Sequence, residues 1–561
     1  MFNRHFPHWP ADLPKQLTLP RASLYTNLQA SAARHPAQTA IHYYGRDLSY
    51  AALDQAVCAL AGWLQQHAGV RHGDRVLLYL PNCPQYVIGY YAILRADAVV
   101  VPVNPMNRSA ELAHYVENAQ SQVILSAEDL WPQIAPLMHQ ANGLQHCVLA
   151  AYRDYIDTQT DLPLPDVVRA ARASTAPNGA VLWSSALALG CLPQPHQAGV
   201  DDLAVMPYTS GTTGKPKGCM HTHGSVQATA TGAGLWRAVT PQTVVFGVLP
   251  MFHVTGMQAG MNTPIQYGAT SVVMTRWDRD CAAQLIQRQR ISSFTAITTM
   301  MVDFLSHPHL EQFDLSSLKF LGGGGAAMPE ALAQKLHDVL GLDFVEGYGL
   351  SETMAPTHVN PPQRPKKQCG GIPFFNTDAR VFNHDTAREC GPNEVGEIIV
   401  RGPQVFRGYW NDPKATAAAF MSWDGAMFFR TGDLGYYDAE GYFFITDRLK
   451  RMINASGFKV WPAEVEAMLY GHPDIQEACV IATRDAYRGE SVTAVVVIKP
   501  EARQRCTEDQ LIAWARTTMA AYKVPRVVRF VEALPRTATG KVFWRQLQEE
   551  EDARVAQRDS T

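Results

Sequence analysis

Between Tyr208 and Gly218 the chain reads Tyr208-Thr209-Ser210-Gly211-Thr212-Thr213-Gly214-Lys215-Pro216-Lys217-Gly218, with four Ser/Thr hydroxyls, three glycines and two lysines in eleven residues. Glycine lets a backbone turn its N–H groups toward anionic oxygens. Hydroxyls donate neutral hydrogen bonds, and ammonium groups neutralise charge. A loop of this content is suited to wrapping phosphates; a solvated Ser/Thr/Gly turn is the plain alternative. Spacing excludes the Walker loop, which needs Gly, four residues, then Gly-Lys-Ser/Thr. Counted from Gly211, Pro216 falls where the second glycine belongs, and no Ser or Thr follows either lysine. The dinucleotide pattern GxGxxG occurs only as a fragment of Gly322-Gly323-Gly324-Gly325-Ala326-Ala327.

The Tyr208–Gly218 string resembles the phosphate loop of the adenylate-forming superfamily, which holds acyl- and aryl-CoA synthetases, luciferases and adenylation domains. Further strings resemble that family's motifs in the family's order. These are Gly347-Tyr348-Gly349-Leu350-Ser351-Glu352-Thr353, Phe429-Arg430-Thr431-Gly432-Asp433, Asp447-Arg448-Leu449-Lys450, Ser456-Gly457-Phe458-Lys459-Val460 and Leu534-Pro535-Arg536-Thr537-Ala538-Thr539-Gly540-Lys541. The resemblance runs from about Leu24 to Leu547.

The resemblance implies two steps. A carboxylate attacks the α-phosphorus of ATP to give an acyl adenylate and pyrophosphate, and a thiol then attacks the acyl carbon and expels AMP. The first step asks for charge stabilisation and in-line positioning. By resemblance, Thr209, Ser210, Gly211, Thr212, Thr213, Gly214 and Lys217 hold the phosphates. Lys541 is the catalytic cation between the α-phosphate and the acyl carboxylate. Glu352 is the magnesium ligand, with helix capping as its ordinary alternative, and Ser351 bonds the α-phosphate. Tyr348 packs on adenine, against which Gly324, Gly325 and Ala326 lie; the family commonly has Ser near Gly324, a departure here. Asp433 accepts from the ribose hydroxyls and Arg448 contacts the same nucleotide. Lys450 is the hinge, and Gly457 leaves room for pantetheine. His253, in Pro250-Met251-Phe252-His253-Val254-Thr255-Gly256-Met257, is a gate and wall of the acyl pocket, or a satisfied structural histidine.

Amino-acid-activating relatives carry Asp at the position of His253, and no carboxylate stands in Pro250 to Met257. No carrier domain follows Lys541, so the acceptor is expected to be CoA. Phe252, Val254, Met257, Thr299, Met300, Val302, Met354 and Ala355 are the pocket candidates. Flexible methionines suit a variable alkyl chain, which favours a medium- or long-chain fatty acid over an aryl acid of the benzoate or cinnamate type. A rival reading is an α/β-hydrolase using Ser351, but Gly349-Leu350-Ser351-Glu352-Thr353 lacks the closing glycine of GxSxG. A third is a nucleotide-binding module without turnover. His221 and His223, and His307 and His309, lack the spacing and the added ligands of a metal site.

These residues must be positioned by a scaffold. Arg75–Leu80, Ala98–Val101 and Gln122–Leu125 read as strands, and Ala51–His67 and Pro84–Leu94 as helices with a buried face. The alternation resumes at Val244–Leu249, Ser271–Met274, Phe294–Ile297, Phe320 and Phe344–Val345, which means crossover units and a largely parallel sheet. From Ala379 short strands follow without long helices, as in a small antiparallel unit. Beyond the charged run Asp447–Arg451, helix and strand alternate again through about 110 residues, enough for a compact domain. The expected architecture is α/β: a large multi-sheet N-terminal domain over 1–449, and a small mobile α+β C-terminal domain over 450–561. The almost wholly polar tail from Gln548 to Thr561 is expected to fray.

Composition agrees with an enzyme of this kind. Of 561 residues, 47% are apolar and 18% charged, ample for buried cores. With 48 Lys+Arg against 51 Asp+Glu, no global positive field exists to hold nucleic acid. Ten cysteines without a CxxC pair argue for reduced thiols in a cytoplasm. Neither a signal peptide nor a membrane span is read from the sequence. The expected partners are therefore a small carboxylic acid, ATP with Mg2+, and coenzyme A, with a homodimer left open.

Overall fold

The computed structural model describes all residues except 141–142, 210–214, 326–327, 449–450, 456–457, 486–488, 504, 538–541 and 560–561. The chain divides into two compact units. The first comprises Met1–Ala379, Val400–Phe429 and Glu440–Tyr442; the second comprises Arg380–Ile399, Arg430–Ala439 and Phe443–Thr561.

Two large sheets organise the first unit. A nine-stranded sheet runs in the order Ile372–Pro373, Ala355–Val359, Phe344–Leu350, Phe320–Gly324, Ser293–Ala296, Val244–Gly247, Thr270–Val273, Thr39–Tyr43 and Arg46–Ser49. Its six inner strands are parallel, from Phe344–Leu350 to Thr39–Tyr43. A seven-stranded sheet runs His221–Thr222, Leu203–Val205, Val99–Pro102, Arg75–Tyr79, Val123–Ala127, His146–Ala150 and Ala180–Leu182, all parallel but for the first. Parallel strands covered on both faces read as continuous apolar runs, and every residue of Val99–Pro102 is buried. The expected crossover pattern is what forms.

Helices close these crossovers where the sequence supplies caps. The Ser49 hydroxyl accepts from the Ala52 N–H and starts Tyr50–Gln66, and Thr222 accepts from Ser225 and starts His223–Trp236, the usual service of Ser and Thr at an N-cap. Pro84–Arg95 is buried along its length except at Arg95. Its tyrosines bring their own partners: Tyr91 donates to Asn262 Oδ1 at 2.9 Å, and Tyr86 to the Met251 carbonyl at 2.9 Å. Among the described residues no helix is long and apolar enough to cross a membrane.

The second unit has antiparallel ladders, as the short strands after Ala379 predict: Phe382 opposite Glu389, and Asp433 opposite Arg448. Further on, Ile475–Asp485 and Gly489–Ile498 form a long hairpin, joined in parallel by Val527–Phe530. A separate core forms from Val465, Leu469, Val480, Val496, Leu511 and Val528, all buried.

The tail departs from expectation. Trp544–Asp559 is one helix, packed against Ile475–Asp485. Its buried face is carried by Leu547 and by polar groups that are all engaged. Gln548 bonds both the Ala482 N–H and carbonyl. Glu551, 1% exposed, accepts from Thr483 Oγ1 at 2.8 Å and pairs with Arg529 at 3.2 Å. A helix that docks through paired polar residues shows no apolar stripe, so its sequence looks like a solvated tail.

Candidate active site

The described ends of the phosphate-loop string pair as an antiparallel ladder. Thr209 pairs with Lys217 and Tyr208 with Gly218; Ser210, Gly211, Thr212, Thr213 and Gly214 lie outside the described residues. A third segment braces the ladder: the Trp410 N–H donates to the Gly218 carbonyl, and the Arg407 N–H to that of Met220, both at 2.8 Å. From Asn118, Oδ1 accepts the Tyr208 hydroxyl at 2.7 Å and the carbonyl accepts the Trp410 indole at 3.0 Å. Lys217 pairs with Asp412 at 2.9 Å.

The Tyr208–Thr209 strand lies against the Ser351–Thr353 turn, which brings the predicted phosphate and metal residues together. That turn follows strand Phe344–Leu350 as a single 3-10 turn. Met354 and Ala355 then take φ of 46° and 71°, left-handed values uncommon outside glycine, and the chain reverses into Ala355–Val359. No helix follows Glu352, which removes the capping alternative. Glu352 is 8% exposed. Its Oε1 accepts the Tyr409 hydroxyl at 2.9 Å, and its carbonyl accepts the Phe406 N–H at 2.8 Å. Burial, together with the Glu352 carboxylate, pushes the Tyr409 phenol and the Cys219 thiol far up. The Ser351 carbonyl receives His221 Nε2 at 2.8 Å. Burial holds that imidazole at about 4, so it is neutral and serves as a strut.

The donors gathered here are hard oxygens, and the nearby Cys219 thiol stays protonated. This set suits magnesium better than a thiophilic metal. Sequence reading missed Tyr409, His221 and Asp412; Gly408-Tyr409-Trp410 offers no local pattern, and each of the three acts on partners distant in the chain.

The glycine strip is set by sheet packing. A Cβ on Gly323 would stand 1.9 Å from the Ala296 carbonyl, and one on Gly324 2.3 Å from that of Gly347. Gly325 takes φ of 94°, open to glycine at little cost; Ala326 lies outside the described residues. Tyr348, half-buried, has its ring 5.7 Å from that of His358.

The His253 segment is held by the Pro84–Arg95 crossover. Asn82 donates to the Leu249 carbonyl at 2.9 Å and accepts the Met251 N–H at 2.8 Å. His253 caps helix Val254–Met257, with Nδ1 accepting the Thr255 N–H at 3.4 Å. That helix lies against Ala355–Val359, and the pocket candidates Val254, Met257 and Ala355 are all buried in the same hydrophobic core. Val302 does not join them. It is 53% exposed, while Met301 on the same helix is fully buried: a short helix without a clear period leaves its rotation unread.

Asp433 and Arg448 are register partners on adjacent strands of the second unit. Asp433 is 3% exposed, and its turn is tied by Thr431, whose hydroxyl donates to the Ile398 carbonyl at 2.7 Å and accepts the Asp433 N–H at 3.1 Å. Lys450, Gly457 and Lys541 lie outside the described residues.

Comparison with known proteins gives a consistent picture. A family profile for AMP-binding enzymes matches residues 28–410, and one for the AMP-binding enzyme C-terminal domain matches 464–541. The chain is 38% identical over 554 residues to a long-chain-fatty-acid–CoA ligase of Bacillus subtilis (strain 168), covering 97% of each. It is 34% identical over 515 residues to a feruloyl-CoA synthase of an Amycolatopsis species, covering 91% of this chain and 96% of that one. Among solved structures it is similar to ATP-bound MatB from Rhodopseudomonas palustris, with a TM-score of 0.81 and 27% identity over 95% of this chain and 100% of that one.

Proposed function

The chain belongs to the AMP-binding enzyme family, and from that premise we propose that it joins a medium- or long-chain fatty acid to CoA. The reaction class is that of an ATP-dependent, AMP-forming acyl-CoA ligase that works through an acyl adenylate. One observation carries the choice of acid: a fatty-acid ligase matches at 38% identity over 97% of both chains, an aryl-CoA synthase at 34% over less of this one. Buried Val254, Met257, Met354 and Ala355 support an apolar pocket, with His253 as a wall.

In this reading Thr209–Gly214 and Lys217 hold the phosphates, and Ser351 donates to the α-phosphate. Gly324, Gly325, Ala326 and Tyr348 frame adenine. Asp433 accepts from the ribose hydroxyls beside Arg448. Glu352 would hold Mg2+, which when bound neutralises phosphate charge. Lys541 damps the repulsion between acyl carboxylate and α-phosphate in the first step. We assign the division of labour to 1–449 and 450–561, with Lys450 as pivot and Gly457 admitting pantetheine in the second step. All ten cysteines are free, which supports a reducing cytoplasm.

The test is mass spectrometry of products from ATP, magnesium, CoA and a mixed pool of alkyl and aryl acids. Alkyl-CoA thioesters with stoichiometric AMP are expected. Preferential aryl-CoA would overturn the substrate, and folded enzyme that makes no AMP from any acid would overturn the reaction.

A further inference from the structure

Glu346 has no part in the reading above. It sits on strand Phe344–Leu350, opposite Gly323 in the sheet register and two residues before Tyr348, so both side chains leave the same face of the strand. The residue is 6% exposed. Its Oε2 accepts the Met328 N–H at 3.1 Å, and its Oε1 the Gln368 N–H at 2.8 Å; the Cys369 N–H joins them. Met328 stands four residues after Gly324 and just before helix Glu330–Leu340, while Gln368 and Cys369 belong to the connection between Ala355–Val359 and Ile372–Pro373.

Asn360 locks the same junction. Its backbone N–H and Nδ2 both donate to the Glu346 carbonyl, at 2.9 and 3.1 Å. Nδ2 also donates to the Cys369 carbonyl at 2.7 Å, and Oδ1 accepts the Lys366 N–H at 2.9 Å.

Among the described residues no charged neighbour contributes to the carboxyl's equilibrium. Burial raises it against the lowering effect of the three N–H donors, to about 7 on balance. Lys366 and Lys367, next along the loop, pair with Glu440 at 2.5 Å and Glu330 at 3.4 Å, and burial keeps His358 on the adjacent strand neutral. A carboxylate kept in so unfavourable a place, with only backbone N–H groups for partners, acts as a tie between loops.

We propose that Glu346 is a positioning residue for the nucleotide base: it draws the Met328 loop and the Gln368–Cys369 loop onto the strand that carries Tyr348, and so fixes both walls of the adenine slot. The proposal rests on the reading of Tyr348 and the glycine strip as that slot.

In Glu346→Gln the amide nitrogen meets a backbone N–H, donor against donor, and one tie is lost. The KM for ATP rises about tenfold, near the cost of one buried hydrogen bond. The KM values for CoA and for the fatty acid stay within about twofold, as does kcat at saturating ATP, because neither loop is assigned to them. Glu346→Asp, which keeps the carboxylate, recovers part of the loss. A second arm needs no variant. Adenosine carries no phosphate to titrate, so its inhibition constant against the unmodified enzyme should rise as the pH falls through about 7, where protonation removes an acceptor. A Glu346→Gln enzyme with unchanged KM for ATP, or a pH-independent adenosine constant, overturns the proposal. Failure of the unmodified enzyme to form AMP would instead overturn the reading of the site.

Discussion

Lys217 and Asp412 form an ion pair at 2.9 Å, with the ammonium 5.3 Å from the centre of the Tyr409 ring. Asp412 is also the cap of helix Pro413–Ala419, accepting the Ala415 N–H at 2.8 Å. The lysine of the phosphate-loop ladder is thus bound to the segment whose tyrosine holds Glu352. Both partners are about one-third exposed, so the pair itself adds at most about 1 kcal/mol. Its value is geometric, since it ties the Lys217 strand to the segment that carries Tyr409.

That arrangement predicts a selective defect in Tyr409→Phe. The ring and its packing remain, but Glu352 loses a donor in a buried place, a loss of about 1–3 kcal/mol. A magnesium titration of adenylation should shift to about five- to 150-fold higher metal, with the KM for the fatty acid unchanged. Glu352→Gln should weaken the metal response further. An unchanged titration in both variants would remove Glu352 as the ligand.

The strands were legible because each is a short β-branched run between turn residues, and a buried parallel strand offers no other pattern. The phosphate-loop string and the Ser351–Glu352 turn were legible as motifs. What stayed hidden depends on contacts distant in sequence. Tyr409 reaches Glu352 across 57 residues, and Glu346 gathers N–H groups from two loops. The docked helix at Trp544–Asp559 was hidden for a different reason: its buried face uses Gln548 and Glu551, and polarity reads as solvent until the partners Ala482, Thr483 and Arg529 are in place.

Removing Lys541 should separate the two half-reactions. Lys541→Ala is expected to slow adenylate formation by about two orders of magnitude or more, as loss of one charge-stabilising group does. Thioester formation from preformed acyl adenylate should be spared. Single-turnover assays of each half-reaction test this; an equal fall in both would refute the two-conformation assignment.

Arg451 offers a test of stability in the second unit. Its side chain, 13% exposed, meets Glu466 and stands 3.8 Å from Asp447, which is itself 2% exposed. It also donates to the Val480 carbonyl at 3.1 Å and lies over the Trp544 ring. Arg451→Met removes the cation between buried Asp447 and half-buried Glu466, a loss of up to about 3–5 kcal/mol. Urea unfolding should show it, with Glu466→Gln added to Arg451→Met recovering part of the loss. A single variant as stable as the parent would show that the carboxylates find other partners.

Acid should unfold the first unit through its histidines. Burial holds His5, His221 and His223 at about 4, and His358 at about 3. In the unfolded chain each titrates near 6.5. Their folded values are depressed, so the folded state binds fewer protons between those limits. The stability this represents is fully present above 6.5 and is lost as the pH falls toward 4, by about 1.4 kcal/mol per pH unit for each group. Glu346 works in the opposite sense: its raised carboxyl favours the fold progressively as the pH drops from about 7 toward 4.5. Burial also raises Asp54 and Asp129 and lowers His146, so among the described residues three raised carboxyls stand against five lowered imidazoles, and the balance is still a net loss. Urea midpoints measured at pH 7, 6 and 5 should therefore fall steadily. His223→Gln, which keeps an acceptor for the Leu24 N–H that His223 Nδ1 now receives at 3.0 Å, should reduce the slope by about one proton. A midpoint independent of pH over this range would mean that the imidazoles find protons without unfolding.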